Sequence, residues 1–400
     1  MSRPDPDTDP ADRLASLHRR QHDAWRDPAQ VVSQWSHAGA VDPRLLEHRA
    51  RGRWWETIDD LELTLLVTRE YEHFIVAMTS GRGGGRISYL NLPHPSGLAV
   101  DRARGVVHVA STRNPNQVYD LMPATAMRDR LDRPSPEPGR DLVPVRSRFY
   151  PGCLYLHDLA LVGDGLHANA VGENAVVRLH EDGRVGRVWW PKCIESGGVP
   201  LFGRNHIQLN SIAAGPDVQR SFYSASSSRV SRRRPGHLNY PVDKQGVIFS
   251  GATREPIARG LTRPHSARLD RGKVWVDNSG YGQLGLAVDG RFEPVAKLPG
   301  WTRGLCIVGQ VAFVGTSRVI PRFRAYAPGI DVDSSLCGVH AVDLRTGAVL
   351  GSLTWPSGNQ IFAIDWLPVG MSGGFPWSAS RDRTARTRDL FYAFETELNR

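Results

Sequence analysis

Lysine is almost missing from this chain: of 50 lysine and arginine residues only four are lysines. The formal net charge of +9 therefore rests on arginine, a skew that a GC-rich genome explains more simply than phosphate contacts do. The one dense basic cluster, Arg229-Val-Ser-Arg-Arg-Arg, falls in an expected loop with no aromatic residues between the arginines, so it lacks a base-stacking surface. Nucleic acid is not the expected partner; the cluster reads as a solvated loop or a guide for an anionic substrate. Long apolar runs are missing too: none reaches the roughly 18 residues that a membrane-spanning helix needs. The N-terminal MSRPDPDTDPADR is acidic and proline-rich with no apolar stretch, so no secretory signal is read there and a cytoplasmic protein is expected. Cys153, Cys193, Cys306 and Cys337 share no metal-type spacing, which fits reduced thiols. No nucleotide-cofactor motif occurs.

What the chain has in quantity is turn residues, 40 glycines and 28 prolines, beside 40% hydrophobic residues. A short phrase recurs six times, a polar tip leading into an apolar strand: Ser96-Gly-Leu-Ala-Val, His157-Asp-Leu-Ala-Leu, Asn210-Ser-Ile-Ala-Ala, His265-Ser-Ala-Arg-Leu, Arg303-Gly-Leu-Cys-Ile and Phe362-Ala-Ile-Asp-Trp. The first five are each followed by a turn and a second strand ending in small polar residues. The tips lie 61, 53, 55, 38 and 59 residues apart, spacings that suit four-stranded propeller blades with inserted loops. HSARLD, KVWVDNS, QLGLAVD and FEPVAKL show one blade without padding, its turns marked by Asp270-Arg-Gly, Gly280-Tyr-Gly and Asp289-Gly.

One strand, IFAIDWLP, is left over near the C-terminus, and three, LELTLLVT, HFIVAMTS and RISYLNLP, before the first repeat. Together they make one more blade, closing a ring with no free edge. The expectation is an all-β fold, a six-bladed β-propeller over 58–370, with a seven-bladed count as the alternative. Residues 1–57 read as an N-terminal helical extension, with two short helices between Pro10 and Trp35, and 371–400 as a C-terminal extension ending in a short helix around Asp389–Leu398. The charged, proline-rich stretch from Met122 to Val145 reads as a surface insertion.

Antiparallel neighbours reverse direction, so the first residue of each inner strand and the last residues of its partner strand reach the same face. Ser96, His157, Asn210, His265, Arg303 and Phe362 should therefore ring one channel mouth, backed by Thr112, Asn114, Asn169, Asn174, Ser226, Asn278 and Ser317. Convergent polar groups in a concavity mark a binding or catalytic site. The catalytic candidates are His157, His265 and Arg303, with Asp158 placed to orient an imidazole or to cap its strand. Asn169, Asn210, Asn278 and Ser317 are the substrate-binding candidates. Two chemistries are open. His157, His206 and His265, with His94, could hold a divalent metal ion such as zinc, iron, manganese or calcium. Alternatively the two tip histidines carry out metal-free acid–base work while Arg303 and the asparagine amides hold developing charge.

The strings LHDLALVGDGL, QLNSIAAG, RPHSARLDRGKVWVDNSGYGQLG, FEPVAKLPGWTRGLCIVGQVAFVGTSR and CGVHAVDLRTGAV resemble those of an uncharacterised bacterial β-propeller family labelled as a domain of unknown function. The resemblance implies a propeller whose ring includes His157, Asn210, His265, Asn278 and Arg303. This chain departs from that family's pattern in carrying Gln208 where a histidine is usual and Ser96 where a methionine is usual. More distantly, the architecture is similar to the gluconolactonase and strictosidine-synthase group of six-bladed propellers, which implies a divalent cation or acid–base chemistry at the mouth. The expected function is an enzyme acting on a small polar or anionic metabolite, as a hydrolase, lyase, cyclase or metal-dependent oxidoreductase. The alternative is a propeller that binds ligands or proteins without catalysis.

Overall fold

The computed structural model of the protein describes residues 12, 14–16, 42–81, 84–112, 116–124, 141–152, 154–231, 233 and 240–378. Most of the N-terminal helical segment, Asn114, most of the Met122–Val145 insertion and the C-terminal helix lie outside the described residues. Six antiparallel sheets of four or five strands make the blades of a propeller. From the inner strand outward, blade 1 is Pro95–Asp101, Val106–Ser111, Asn116–Pro123 and Leu142–Tyr150. Blade 2 is Leu156–Val162, Gly165–Ala170, Ala175–Leu179 and Val185–Trp189. Blade 3 is Leu209–Ala213, Phe222–Ala225, Gly246–Ser250 and Pro256–Leu261, and blade 4 is Pro264–Asp270, Lys273–Asn278, Gln283–Val288 and Arg291–Lys297. Blade 5 is Trp301–Val308, Val311–Ser317, Gly338–Asp343 and Val349–Thr354.

Blade 6 closes the ring from both halves of the chain. Its inner strand Ile364–Pro368 pairs antiparallel with Leu63–Arg69, in register from Val67 opposite Ile364 to Leu63 opposite Pro368. Phe74–Thr79 and Arg86–Asn91 complete it. This is the one-plus-three closure expected from the leftover strands. The inner strands pack side by side around the whole circle, blade 6 against blade 1 included, so the fold has six blades rather than seven. Four additional strands were not foreseen among the described residues: Arg49–Gly52 forms a fifth strand on blade 5, Trp377–Ser378 a fifth on blade 6, and Glu195–Ser196 pairs with Val199–Pro200 in a separate two-stranded sheet. Helix Trp54–Asp60, also unforeseen, buries Trp54 edge-on against Phe313 at 5.9 Å.

Turn chemistry follows the sequence. In blade 4, Asp289 (φ 48°) and Gly290 (φ 84°) join two strands through a two-residue loop, and a positive φ at both central positions is the type I′ hairpin turn. Between blades, the residue after the tip does the joining in blades 2, 3 and 4. Asp158 Oδ2 accepts from the Ile212 amide at 3.1 Å, Ser211 Oγ from the Ala267 amide at 2.7 Å, and Ser266 Oγ from the Gly304 amide at 2.7 Å, each reaching from one blade to the next. Ser317 Oγ bonds the Ile361 amide at 3.0 Å where blade 5 meets blade 6, and Thr68 Oγ1 donates to the Ser96 carbonyl at 2.7 Å where blade 6 meets blade 1.

At blade 1 the equivalent position is Gly97, where the next blade comes too close for a side chain. A Cβ there would sit 2.5 Å from the Leu159 amide nitrogen. Gly97→Ala is expected to cost about 1–3 kcal/mol as an overpacking strain. Gly81→Ala, with nothing within 4 Å of its added carbon, should stay within about 0.5 kcal/mol. Urea midpoints of the two variants check this pair, and equal midpoints would sink the account of the blade junction.

Candidate active site at the channel mouth

The tips point at the axis because the backbone forces them to. In five blades the inner strand carries one extra residue against its partner at the tip: between Pro95 and Leu98, Leu156 and Leu159, Leu209 and Ser211, His265 and Arg268, and Thr302 and Leu305. Such a bulge bends the strand and re-aims a side chain. Two places ahead of four tips the chain passes through the left-handed region at a non-glycine residue: His94 (φ 44°), Tyr155 (φ 54°), Gln208 (φ 51°) and Arg263 (φ 52°). That conformation is uncommon for such residues and costs free energy; its recurrence at equivalent positions makes a second ring next to the first.

His157, His265 and Arg303 come together. Arg303 donates from Nη2 to His157 Nε2 at 3.0 Å. Blades 2 and 5 face each other across the ring, so this hydrogen bond is a crossbar over the axis. His157 Nδ1 lies 2.8 Å from the Asn210 carbonyl. A carbonyl only accepts and a guanidinium only donates, so Nδ1 carries the proton and His157 is a neutral ring with both nitrogens engaged. The His157 and His265 ring centroids are 5.5 Å apart, and the Arg303 guanidinium lies 3.5 Å over the Phe362 ring.

His265 differs from His157. Its Nδ1 is 2.8 Å from the Arg263 carbonyl and 3.1 Å from Ser279 Oγ. Ser279 Oγ gives its own proton to the Thr302 carbonyl at 2.6 Å. Nδ1 is therefore the protonated nitrogen again, and Nε2 keeps its lone pair, with no hydrogen-bond partner among the described residues. Burial lowers both imidazoles well below the ordinary value, and the Arg303 charge adds to it, with Arg263 acting on both and His157 also on His265.

The other candidates divide. Asp158 accepts from Leu159 and Ile212 amides and pairs with Arg268 at 3.1 Å, and makes no hydrogen bond to His157; burial raises its pKa. Asn278 is spent on the Thr262 amide and Gln283, and Ser317 on Ile361. Asn210 donates to Ser226 Oγ and the Pro264 carbonyl, leaving its Oδ1 buried and unpartnered. Both side-chain polar atoms of Asn169 are buried and unpartnered, as are both oxygens of Asp277 at the equivalent strand position in blade 4, where burial raises the pKa well above the ordinary value. His206 is held by its backbone amide to Asn174 Oδ1 at 2.8 Å.

The histidines do not fit a metal as placed. His157 has no lone pair to offer, and among the described residues no group of three or more histidine, cysteine, aspartate or glutamate side chains could hold an ion. Missing from the sequence reading was Arg263. Its signal was present, since it stands two places before a tip, where the first and third phrases carry His94 and Gln208.

Fold and site together define a six-bladed β-propeller with a buried polar cluster at one channel mouth. The chain belongs to the family described as a domain of unknown function (DUF4915), whose model matches residues 52–373. No curated protein matches it in sequence. A chain in the crystal structure of a nidogen/laminin complex is similar in fold, at 12% identity and TM-score 0.50, over 76% of this chain and 98% of that one. A putative 6-phosphogluconolactonase from Bacteroides uniformis matches at 12% identity and TM-score 0.42, over 76% of this chain and 99% of its own. A gluconolactonase from Xanthomonas campestris matches at 13% and 0.42, over 74% and 86%. At such identities only the fold is shared. No helix among the described residues is long and apolar enough to cross a membrane.

Two measurements check the site. Asp158→Ala strands a charged Arg268 and the Ile212 amide, so it should destabilise by about 3 kcal/mol or more; a loss of activity with unchanged stability would instead make Asp158 a catalytic group. The buried neutral histidines set a pH dependence. Below the ordinary histidine value of about 6.5 the unfolded chain takes up protons that folded His157 and His265 refuse. Stability is then complete above that pH and falls on acidification, by up to about 1.4 kcal/mol per pH unit for each ring. His157→Gln should flatten the slope by one proton in urea titrations between neutral and mildly acidic pH, and an unchanged slope would mean His157 is charged when folded.

Proposed function

We propose that the channel mouth is the active site of an enzyme that acts on a small polar or anionic metabolite, with His265 as its proton-transfer group. The observation that carries this reading is the unpartnered Nε2 of His265. Its other nitrogen is fixed by the Arg263 carbonyl and Ser279, so the lone pair is presented in one direction at no further ordering cost. Among the described residues, buried His167 also bonds only through Nδ1, to the Gly165 carbonyl, so what sets His265 apart is its place at the axis, 5.5 Å from the His157 ring and within the field of Arg303 and Arg263.

The chemistry then follows from charge. Burial first, and then the charges of Arg303 and Arg263, disfavour an imidazolium at His265. A bound anion offsets those charges and raises the affinity of Nε2 for a proton, so proton uptake is coupled to substrate binding. His265 takes a proton from water or from the substrate, and the same arginine field favours its return to the leaving atom. Arg303 faces the negative charge that develops. His157 acts through Arg303, holding one of its nitrogens and hence the angle of the guanidinium, and is a positioning residue. The reading uses no metal. It supports hydrolysis or elimination on a small substrate.

The test is conversion of a panel of lactones, phosphate esters and hydroxy acids followed by NMR, with wild type and His265→Ala. Wild type should convert at least one compound, and the variant should lose about 10²–10⁴-fold in kcat at unchanged Tm. Saturable binding with no conversion of any compound would favour a binding propeller, and conversion that survives the substitution would remove His265 from the chemistry.

A further inference from the structure

We propose that Arg263 and Arg303 form a built anion site that takes one oxyanion of the ligand, a carboxylate or a phosphate ester, between two buried guanidinium groups. This deepens the reading above and rests on it for the place of the site, but it needs no turnover to be true. Both arginines are 7% exposed. Neither makes an ion pair, and Arg263 makes no side-chain hydrogen bond, among the described residues. Its Nε and Nη1 are buried without partners, and so is Arg303 Nε. Buried guanidinium groups left in that state are costly, and native folds pair them.

This fold does pair its other buried arginines. Arg69 donates to Glu72 at 3.0 Å and to the Leu45 carbonyl at 2.7 Å. Arg148 meets Asp120 at 2.7 Å, and Arg268 meets Asp158 at 3.1 Å. Around Arg263 the acting groups are Arg303 and the hydroxyls of Tyr326, Tyr155 and Tyr240, with no carboxylate among them, and burial brings its pKa down to about 10. Arg303 has the field of Glu70, whose Oε1 accepts from Thr112 at 2.6 Å, and of Asp158, which already pairs with Arg268. The mouth therefore carries surplus positive charge that a ligand would neutralise.

The two planes are already set. Arg263 lies over the Tyr326 ring at 4.7 Å and Arg303 over Phe362 at 3.5 Å. Stacking holds the faces and leaves the N–H edges to meet an oxyanion in the planar, forked manner that suits carboxylate and phosphate. Trp301 packs edge-on against His265 at 6.0 Å and against Phe323 at 4.7 Å, so an apolar wall stands next to the anion site for the body of the ligand.

Thermal shift and calorimetric titration of the full chain with inorganic phosphate, malonate and acetate, with choline chloride as the cationic control, test this. Wild type should be stabilised by phosphate or by the carboxylates, the stronger of the two naming the source, and not by choline. Arg263→Met removes an uncompensated charge and keeps the stacked stem, so its ligand-free Tm should equal or exceed that of wild type while anion affinity falls at least about tenfold. No anion binding, binding unchanged in Arg263→Met, or a marked drop in its ligand-free Tm would each overturn the proposal. Anion binding lost in Arg263→Met without conversion of any compound leaves the anion site standing and sinks the catalytic reading. Conversion without anion dependence does the reverse.

Discussion

The ring is held by hydrogen bonds handed from blade to blade, in blades 2, 3 and 4 by the inner strand itself and at the closure by Ser317 and Thr68 of the second strands. A bulge at the strand tip leaves backbone N–H groups without a ladder partner, and a buried one costs about as much as a lost hydrogen bond. The residue after the tip of the preceding blade supplies the acceptor. Ala267 and Gly304 sit inside their bulges, and their amides are taken by Ser211 and Ser266. Asp158 takes the amide of Ile212, which lies just past the bulge of blade 3 and is paired with Tyr223. The bulge that aims a side chain at the axis and the contact that joins two blades are thus one device. A polar residue, or a glycine where no atom fits, follows each of the first five tips.

Electrostatics separates the parts of the molecule that hold the fold from the part that is left open. Asp158 with Arg268, Asp365 with Arg102, Glu72 with Arg69, and Asp120 with Arg146 and Arg148 are charge pairs closed within or between blades. Desolvation at such places is offset by hydrogen bonds to the charged groups. At the mouth that rule is not met, and Arg263, Arg303, Asn169 and the Nε2 of His265 have donors or acceptors to spare. A fold that pairs its other buried arginines with carboxylates leaves these two without an ion pair among the described residues.

The sequence made the closed ring and the tips legible because both rest on local periodicity. Leftover strands at 361–368 and before Ser96 could be counted, and six equivalent phrases could be aligned. Arg49–Gly52 was not legible: its four residues are all exposed, with no alternation of apolar and polar side chains to mark a strand. Arg263 was legible only as a position two places before a tip, because a left-handed backbone at a non-glycine residue has no compositional mark. Of the two readings open for Asp158, its bonds fit the cap and not the orienting group. Asp158 adjoins His157 in the chain but bonds the neighbouring blade, and the group that orients His157 is the carbonyl of Asn210, 53 residues away. Contacts between distant blades leave no trace in local pattern.

Six near-equal blades would place six equal groups around the axis, and a symmetric cluster has no direction in which to hold an asymmetric substrate. This chain breaks the symmetry at the side chains and keeps it in the backbone. Blades 2, 4 and 5 put His157, His265 and Arg303 at the same local position where blades 1, 3 and 6 put Ser96, Asn210 and Phe362. Arg303 then leans on the Phe362 ring beside it and spans the axis to His157, while the neighbouring sector, with His265 and Arg263, keeps unspent hydrogen-bonding capacity. An apolar tip is as necessary as a charged one here: without Phe362 to carry its face, the guanidinium would lose the support that keeps its edge across the channel.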